Sequence, residues 1–527
     1  LAILSAAFFL TGKTAFLGIG FISTALLLGQ PLFVLMGGLG AALLATVSGF
    51  TSLDEQVLVV RQLLGLAGKE VLLAIPFFVV AGELMTQGSL ARRLIEFMKA
   101  AFGWIPGGLA VSAVAGCVFF AAISGSSPVT VVAIGSIMVP ALIKAKYPED
   151  FSIGLLTTAG SLGILIPPSI PMIVYSIMVS SATPVDPTDL FIAGVVPGLF
   201  IGALLAIYSV TQGIRFKIPR EPFSKTRLWE ATRQGVWSLL LPVIILGGIY
   251  SGIFTATEAS AVSVVYALGV EWFIHREMDK KKLLSVAEGS MTVMGSLLVI
   301  IALAIVLNYF LVDQQVPDLM VDWMKTLELT PTKFLIVVNL LLLVVGMFMD
   351  IMSAILIIAP MLAPMAAAMG INPIHMGIIF IVNLEIGYLT PPVGLNLFVS
   401  SSLFKKGLGF VVKAVVPTVV IMLGSLVIIT WVPSMSTGLV DALKKKPVPV
   451  QTAVTPRPED TPSSPSDGGV KSLADMMREA KLKQDAGPPP EVKVKSLEEM
   501  MREAKEKRAA EQGAIEAVDA GTEADAG

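Results

Sequence analysis

The chain has 527 residues, 55% of them hydrophobic and 14% charged, with a mean hydropathy of +0.82. A water-soluble fold of that composition would expose large apolar patches, so the bilayer is its solvent. The net charge of −2 is gathered in loops and the C-terminal stretch and carries no nucleic-acid signal, while the single cysteine, Cys117, excludes an internal disulfide.

Apolar stretches of spanning length recur from the first residue to Trp431, with short polar or Gly/Pro breaks between them, which predicts an all-α polytopic membrane protein. Runs such as 239–250 and 334–349 are apolar on all sides and lack the period-two alternation of a β-barrel. Residues 1–25 read as an extra hydrophobic segment, with 1–10 the remainder of an earlier helix, ahead of a transmembrane domain over 26–433 with repeats at about 70–210 and 290–433.

In chain order, the first unusual spot is Ser124-Gly125-Ser126-Ser127-Pro128, a turn of small residues offering hydroxyls and backbone inside an apolar run. The second is Gly163-Ile164-Leu-Ile-Pro167-Pro168. Prolines lack an N–H, so in helical geometry this pair frees the carbonyls of Gly163 and Ile164. The basic loop at 215–233 then marks a cytoplasmic side, as does the one at 276–282, and the apolar stretch between them suffices for two short crossings.

The run 334–368 would extend about 52 Å as one helix against a ~30 Å hydrocarbon core, so it must turn or exit near Asp350. A turn would put the carboxylate inside the protein as a cation ligand; an exit would leave it at the interface. The apolar flanks favour the turn. Further on, Asn383 and Glu385 immediately precede Gly387-Tyr-Leu-Thr390-Pro391-Pro392, whose prolines free the carbonyls of Gly387 and Tyr388. Glu83, Glu258, Asn308, Asn339 and Asn396 are further polar residues within apolar runs, readable as helix contacts. The two histidines, His275 and His375, are far apart and support no metal or proton-relay site.

After Trp431 the composition turns polar and Pro-rich, the signature of a disordered tail over 434–527, placed in the cytoplasm by Lys444, Lys445 and Lys446. Within it Val470-Lys-Ser-Leu-Ala-Asp-Met-Met-Arg-Glu-Ala-Lys481 recurs as Val494-Lys-Ser-Leu-Glu-Glu-Met-Met-Arg-Glu-Ala-Lys505. These short helical motifs (470–483 and 494–507) suit a cytoplasmic partner or a solvated tail equally.

Sliding the chain on itself by 224 positions superimposes Ile137-Met-Val-Pro140 on Met361-Leu-Ala-Pro364, and the first Gly-x-x-x-Pro-Pro on the second, with no gap. Duplicated hydrophobic units interrupted at corresponding positions point to a secondary transporter with its site at the repeat interface. A freed carbonyl in a bilayer costs several kcal/mol unless satisfied, and Na⁺ is a suitable partner, with hydroxyls and water as the plainer alternative.

These residues resemble the large membrane subunit of the tripartite ATP-independent periplasmic (TRAP) transporters. The resemblance rests on Ile75-Pro-Phe-Phe-Val-Val-Ala-Gly-Glu-Leu-Met85, Phe120-Ala-Ala-Ile-Ser-Gly-Ser-Ser127, Gly163-Ile-Leu-Ile-Pro-Pro-Ser-Ile170, Thr257-Glu-Ala259 and Asn383-Leu-Glu-Ile-Gly-Tyr-Leu-Thr-Pro-Pro-Val-Gly394. It implies an inverted-repeat, ion-transporter-like elevator fold with two re-entrant helical hairpins, tipped at residues 124–127 and 349–350, and two broken helices, at 163–168 and 387–392. It further implies Na⁺ coupling, with Na⁺ at Ser126, Gly163, Asp350 and Gly387. The implied partners are a small four-helix membrane subunit and a periplasmic binding protein that delivers an organic acid, in the bacterial inner membrane. Under the resemblance, residues 1–25 read as the end of a fused small subunit or a linker helix. No ATPase or enzymatic motif is present.

Two rival readings are a binding-protein-independent Na⁺/anion symporter of similar fold and a membrane scaffold acting through its tail. They separate cleanly from the first in experiment. Deleting everything after Lys446 is expected to leave solute uptake intact in a transporter, measured in whole cells, whereas a tail-driven scaffold would lose its function.

Overall fold

The computed structural model describes residues 68–180, 183–220 and 222–443, with 37–40, 43–44 and 64 besides; the expectations for residues 1–25 and for the tail motifs lie outside these. Every regular element among them is helical, the form in which a membrane segment pairs its own backbone groups. Two helices, α1 (Glu70–Gln87) and α2 (Leu90–Phe102), precede the first repeat unit. That unit runs α3 (Gly108–Ser124), α4 (Ser127–Lys144), α5 (Glu149–Ser161, continued by a 3₁₀ turn over Leu162–Ile164) and α6 (Ile170–Val179).

Connecting helices follow: α7 (Pro187–Arg215), α8 (Lys225–Tyr250), α9 (Ala256–Gly269), α10 (Lys280–Asp313) and α11 (Val316–Thr326). The second unit is α12 (Pro331–Phe348), α13 (Ile351–Ala368), α14 (Pro373–Gly387) and α15 (Leu395–Leu403), and α16 (Leu408–Trp431) and α17 (Ser434–Leu443) close the described chain. Shifting α3 to α6 by 224 positions lands every start and end within two residues of α12 to α15. The duplication read in the sequence is therefore a duplication of helix boundaries. Both Pro-Pro bonds, Pro167-Pro168 and Pro391-Pro392, are cis.

The helix starts follow local chemistry. Asp186, Asp279, Thr330 and Asn372 each accept a backbone N–H from the first turn of α7, α10, α12 and α14, and three of those helices begin with proline, whose missing N–H costs nothing there. Glu258 closes a capping box with Thr255 at the exposed start of α9. It is thus a cap, not a membrane-buried contact.

Among the described residues eight helices are long and apolar enough to cross a membrane. α10 and α12 leave most of their apolar surface uncovered, as does α16, whereas α13 is buried on nearly all sides. Apolar surface facing lipid carries no hydrophobic penalty, which suits the uncovered helices to a bilayer, while α13 belongs to the protein interior. At 34 residues α10 is about 51 Å long, so it tilts in, or projects from, a ~30 Å core.

Close approach in the interior relies on glycine. A Cβ on Gly154 of α5 would stand 2.0 Å from the Ala414 carbonyl oxygen of α16, so any side chain there pushes against backbone. Overpacking of this kind costs about 1–3 kcal/mol. Gly154→Val is expected to lower the melting temperature in detergent, while Gly424→Ala, with no atom within 4 Å of the added methyl, leaves it unchanged.

Candidate functional site

The interruptions of both repeat units converge on one cavity of about 330 Å³, at the lower end of the range of small-molecule sites. The corner between α3 and α4 supplies Ser124, Gly125, Ser126 and Ser127; the first break supplies Ile164 and Ile170; the start of α13 supplies Ile351 and Met352; the second break supplies Tyr388. Gly82 and Glu83 of α1 and Gly289, Val293 and Ser296 of α10 form the facing wall.

The corner is held by tight backbone contacts. Gly125 has φ +58°, a conformation that glycine tolerates, and a Cβ on it would lie 2.9 Å from the Pro168 carbonyl oxygen. A Cβ on Gly163 would lie 2.7 Å from the Ser126 carbonyl oxygen and 2.8 Å from Thr130 Oγ1. The first break and the first corner therefore pack as one unit. Thr130 fastens it, its hydroxyl donating to the Ser126 carbonyl at 2.8 Å and lying 2.9 Å from the Ser124 hydroxyl.

Three of the four carbonyls freed by the prolines find protein donors: the Ser169 hydroxyl donates to Ile164 O, the Thr390 N–H to Gly387 O and the Asn396 N–H to Tyr388 O. The bare-carbonyl expectation is corrected for those three, because side chains and amides just past each break fold back onto it. Among the described residues no donor reaches the Gly163 carbonyl. The breaks also differ in surroundings, since Pro167 and Pro168 are buried while Pro391 and Pro392 are exposed and Thr390 is half-buried.

The helix does end at Phe348 and restart after Asp350, but the Asp350 carboxylate is exposed and outside the cavity lining. It caps α13, accepting the Ser353 N–H at 3.1 Å and the Ser353 hydroxyl. Its neighbour Ile351 donates its N–H to the Tyr388 hydroxyl at 3.0 Å, which pins the start of α13 to the second break. Asn383 and Glu385 are fully buried but also lie away from the cavity. Asn383 donates to Asn339 Oδ1 and Ile379 O, both at 2.7 Å. Glu385 Oε1 accepts the Ser161 hydroxyl at 2.9 Å, and its Oε2 has no partner.

Four residues at or beside the cavity were not singled out from the sequence. Tyr388 sat inside a motif read for its glycine and prolines, and Glu83 was one of several acidic residues in apolar runs. Thr130 gave no signal. Asn396, whose amide donates to Ser127 Oγ at 2.6 Å and whose Oδ1 has no partner, was readable only as one more buried amide.

Among the described residues no lysine, arginine or histidine lines the cavity, and Glu83 is its one charged residue. Three helices begin at it instead, α4 at Ser127, α6 at Ile170 and α13 at Ile351, and helix N-termini carry partial positive charge and unpaired N–H groups. Duplicated units, paired helix breaks and a central cavity between them define a polytopic membrane transport protein.

The chain belongs to the family described as tripartite ATP-independent periplasmic transporter, DctM component, which it matches over residues 19–435. It is 47% identical over 371 residues to the C4-dicarboxylate TRAP transporter large permease protein DctM of Pseudomonas aeruginosa, covering 70% of this chain and 86% of that one. The Rhodobacter capsulatus protein of the same description is 39% identical over 435 residues, covering 80% and 98%. In fold the chain is similar to the Alcanivorax borkumensis YdaH transporter, with a TM-score of 0.59 at 15% identity over 77% of this chain and 98% of that one. The protein is thus a large permease subunit and not an enzyme.

The Ser161–Glu385 bond is open to a direct test. Ser161→Ala is expected to cost about 1–3 kcal/mol by leaving a buried carboxyl without a donor, and Glu385→Leu in the same chain to recover most of it. Denaturation of the two single variants and the double variant measures the coupling; strictly additive losses would show the bond carries none.

Proposed function

We propose that this permease takes up an organic acid of the C4-dicarboxylate class together with Na⁺, the acid being delivered by a periplasmic binding protein and the permease working beside a small four-helix membrane subunit. The observation that carries this reading is the cavity at three helix N-termini with, among the described residues, no basic side chain on its lining. Helix dipoles attract a carboxylate but do not neutralise two of them, and co-bound cations supply the missing charge. The C4-dicarboxylate descriptions of the relatives at 39–47% identity favour that substrate class. Relatives at 34–36% identity are described as transporters of ectoine or 2,3-diketo-L-gulonate.

For Na⁺, the unmatched Gly163 carbonyl beside Ser126 is the best-supported position in the first unit. In the second unit, Gly387 O retains one lone pair beside its Thr390 bond, and Asp350 retains lone pairs beside its Ser353 bonds. Transport follows as the two corners and two breaks shift as a body past the α1 and α10 wall, carrying the cavity across an inner membrane. The basic loops and Lys444 to Lys446 favour a cytoplasmic C-terminus.

The deciding experiment is uptake of labelled C4-dicarboxylates into proteoliposomes holding the chain with its small subunit, with and without an inward Na⁺ gradient and the binding protein. Uptake requiring both is expected. Na⁺-driven uptake without the binding protein would establish the simpler symporter, and uptake indifferent to Na⁺ would overturn the coupling. Asp350→Asn and Asp350→Ala separate the two roles of that residue. A cation ligand loses Na⁺ dependence in both variants, whereas a pure helix cap is preserved by asparagine.

A further inference from the structure

A second site lies apart from the transport cavity, where α2, α8 and the end of α9 meet. The α9 helix continues as a π turn over Val270–Ile274, a local widening that re-aims the side chains around it. It turns Glu271 inward, fully buried, to accept the N–H groups of Ser89 and Leu90 at 2.6 and 2.8 Å. The carboxylate thereby caps the start of α2 from another helix, and its charge is spent there.

The next turn presents His275, whose side chain is 5% exposed. Its Nδ1 lies 3.0 Å from Ser89 Oγ, while its Nε2 is buried with no partner. Burial, and then the nearby Arg93, hold this imidazole below the ordinary histidine range. The one Ser89 hydroxyl proton is directed to the Glu271 carboxylate, at 3.2 and 3.3 Å, and Ser89 Oγ accepts from Arg93 Nε at 3.1 Å, so His275 Nδ1 carries the proton toward Ser89 and Nε2 is left an acceptor.

His275 lines a pocket of about 500 Å³ with Arg93, Arg233, Gln234, Trp237 and Ile274. Among the described residues Glu230 is the one acidic lining residue, offset by Arg233 one turn along α8. Arg92 and Arg93 share the single carboxylate Glu277, both at 3.1 Å, which leaves surplus positive charge beside the pocket. The basic residues 276 and 280–282 follow immediately in the chain. On the other side Phe273 and Ile274 are exposed apolar side chains, 74% and 46% accessible, next to Trp237 as an interfacial anchor.

We propose that this pocket binds a phosphate group, that of an anionic phospholipid, with Arg93, Arg233 and Gln234 as donors and the acyl chains running past Ile274 and Phe273. Arginine suits phosphate through its planar pair of donors. A site between helices at a basic membrane face is where such headgroups are retained.

The purified full chain in detergent is titrated with phosphatidylglycerol or diacylglycerol and read by native mass spectrometry. One retained phosphatidylglycerol is expected, with no retention of diacylglycerol and about tenfold weaker binding in Arg233→Glu, the loss of a charge-assisted contact. Arg233 is exposed on α8, and the variant's melting temperature without lipid is expected to match the parent, which separates lost binding from lost folding. Displacement of the lipid by millimolar inorganic phosphate would overturn the lipid source in favour of a soluble phosphate. Equal retention by parent and Arg233→Glu, or equal retention of diacylglycerol, would overturn the site.

Discussion

Everything in the interior of this permease depends on one constraint: where water is absent, a broken helix must find partners for the backbone groups it gives up. The two Pro-Pro breaks free four carbonyls, and the chain answers for three of them within a few residues, through Ser169, Thr390 and Asn396. These local closures let a helix stop in mid-structure without unfolding. They also confine unspent hydrogen-bonding capacity to a short list of places, Gly163 O and Asn396 Oδ1 among them.

The cavity follows from how closely the breaks approach their neighbours. Gly125 lies against Pro168 O, Gly163 against Ser126 O, and Gly82 of α1 against the Ser124 Cα. Three positions without a Cβ thus let a wall helix, a corner and a break meet, and what remains open between them is lined, among the described residues, mainly by apolar side chains, with serine hydroxyls, helix starts and one carboxylate set among them. The side chains that lock this arrangement, Thr130 and Tyr388, bond to backbone across each interruption and hold the helix ends at fixed positions.

The architecture was legible because prolines and glycines act locally: the 224-residue offset, both breaks and both corners could be placed from the chain alone, and the first corner proved to line the cavity. What could not be read was the direction each polar side chain takes. Asp350 looked like an intramembrane charge because its flanks are apolar, yet its carboxylate turns back onto Ser353 at an exposed helix start. Asn383 and Glu385 looked close to the site because they precede the second break in sequence. One helical turn is enough to rotate them onto a seam between helices. Glu83 was passed over for the opposite reason, since it lies far in sequence from either break and reaches the cavity only through the packing of α1.

Ser161 and Glu385 hold each other's place in the two units, 224 positions apart, and they are bonded to one another. Residues that touch their own counterpart mark where two halves face across an axis. In an assembly of two identical chains such a position must pair with itself, and two glutamates meeting there in an apolar interior would repel. Joining both halves in one polypeptide removes that restriction, so each half can mutate alone and a donor can come to face an acceptor. The seam of this protein is in that sense a heterodimer interface held within one chain.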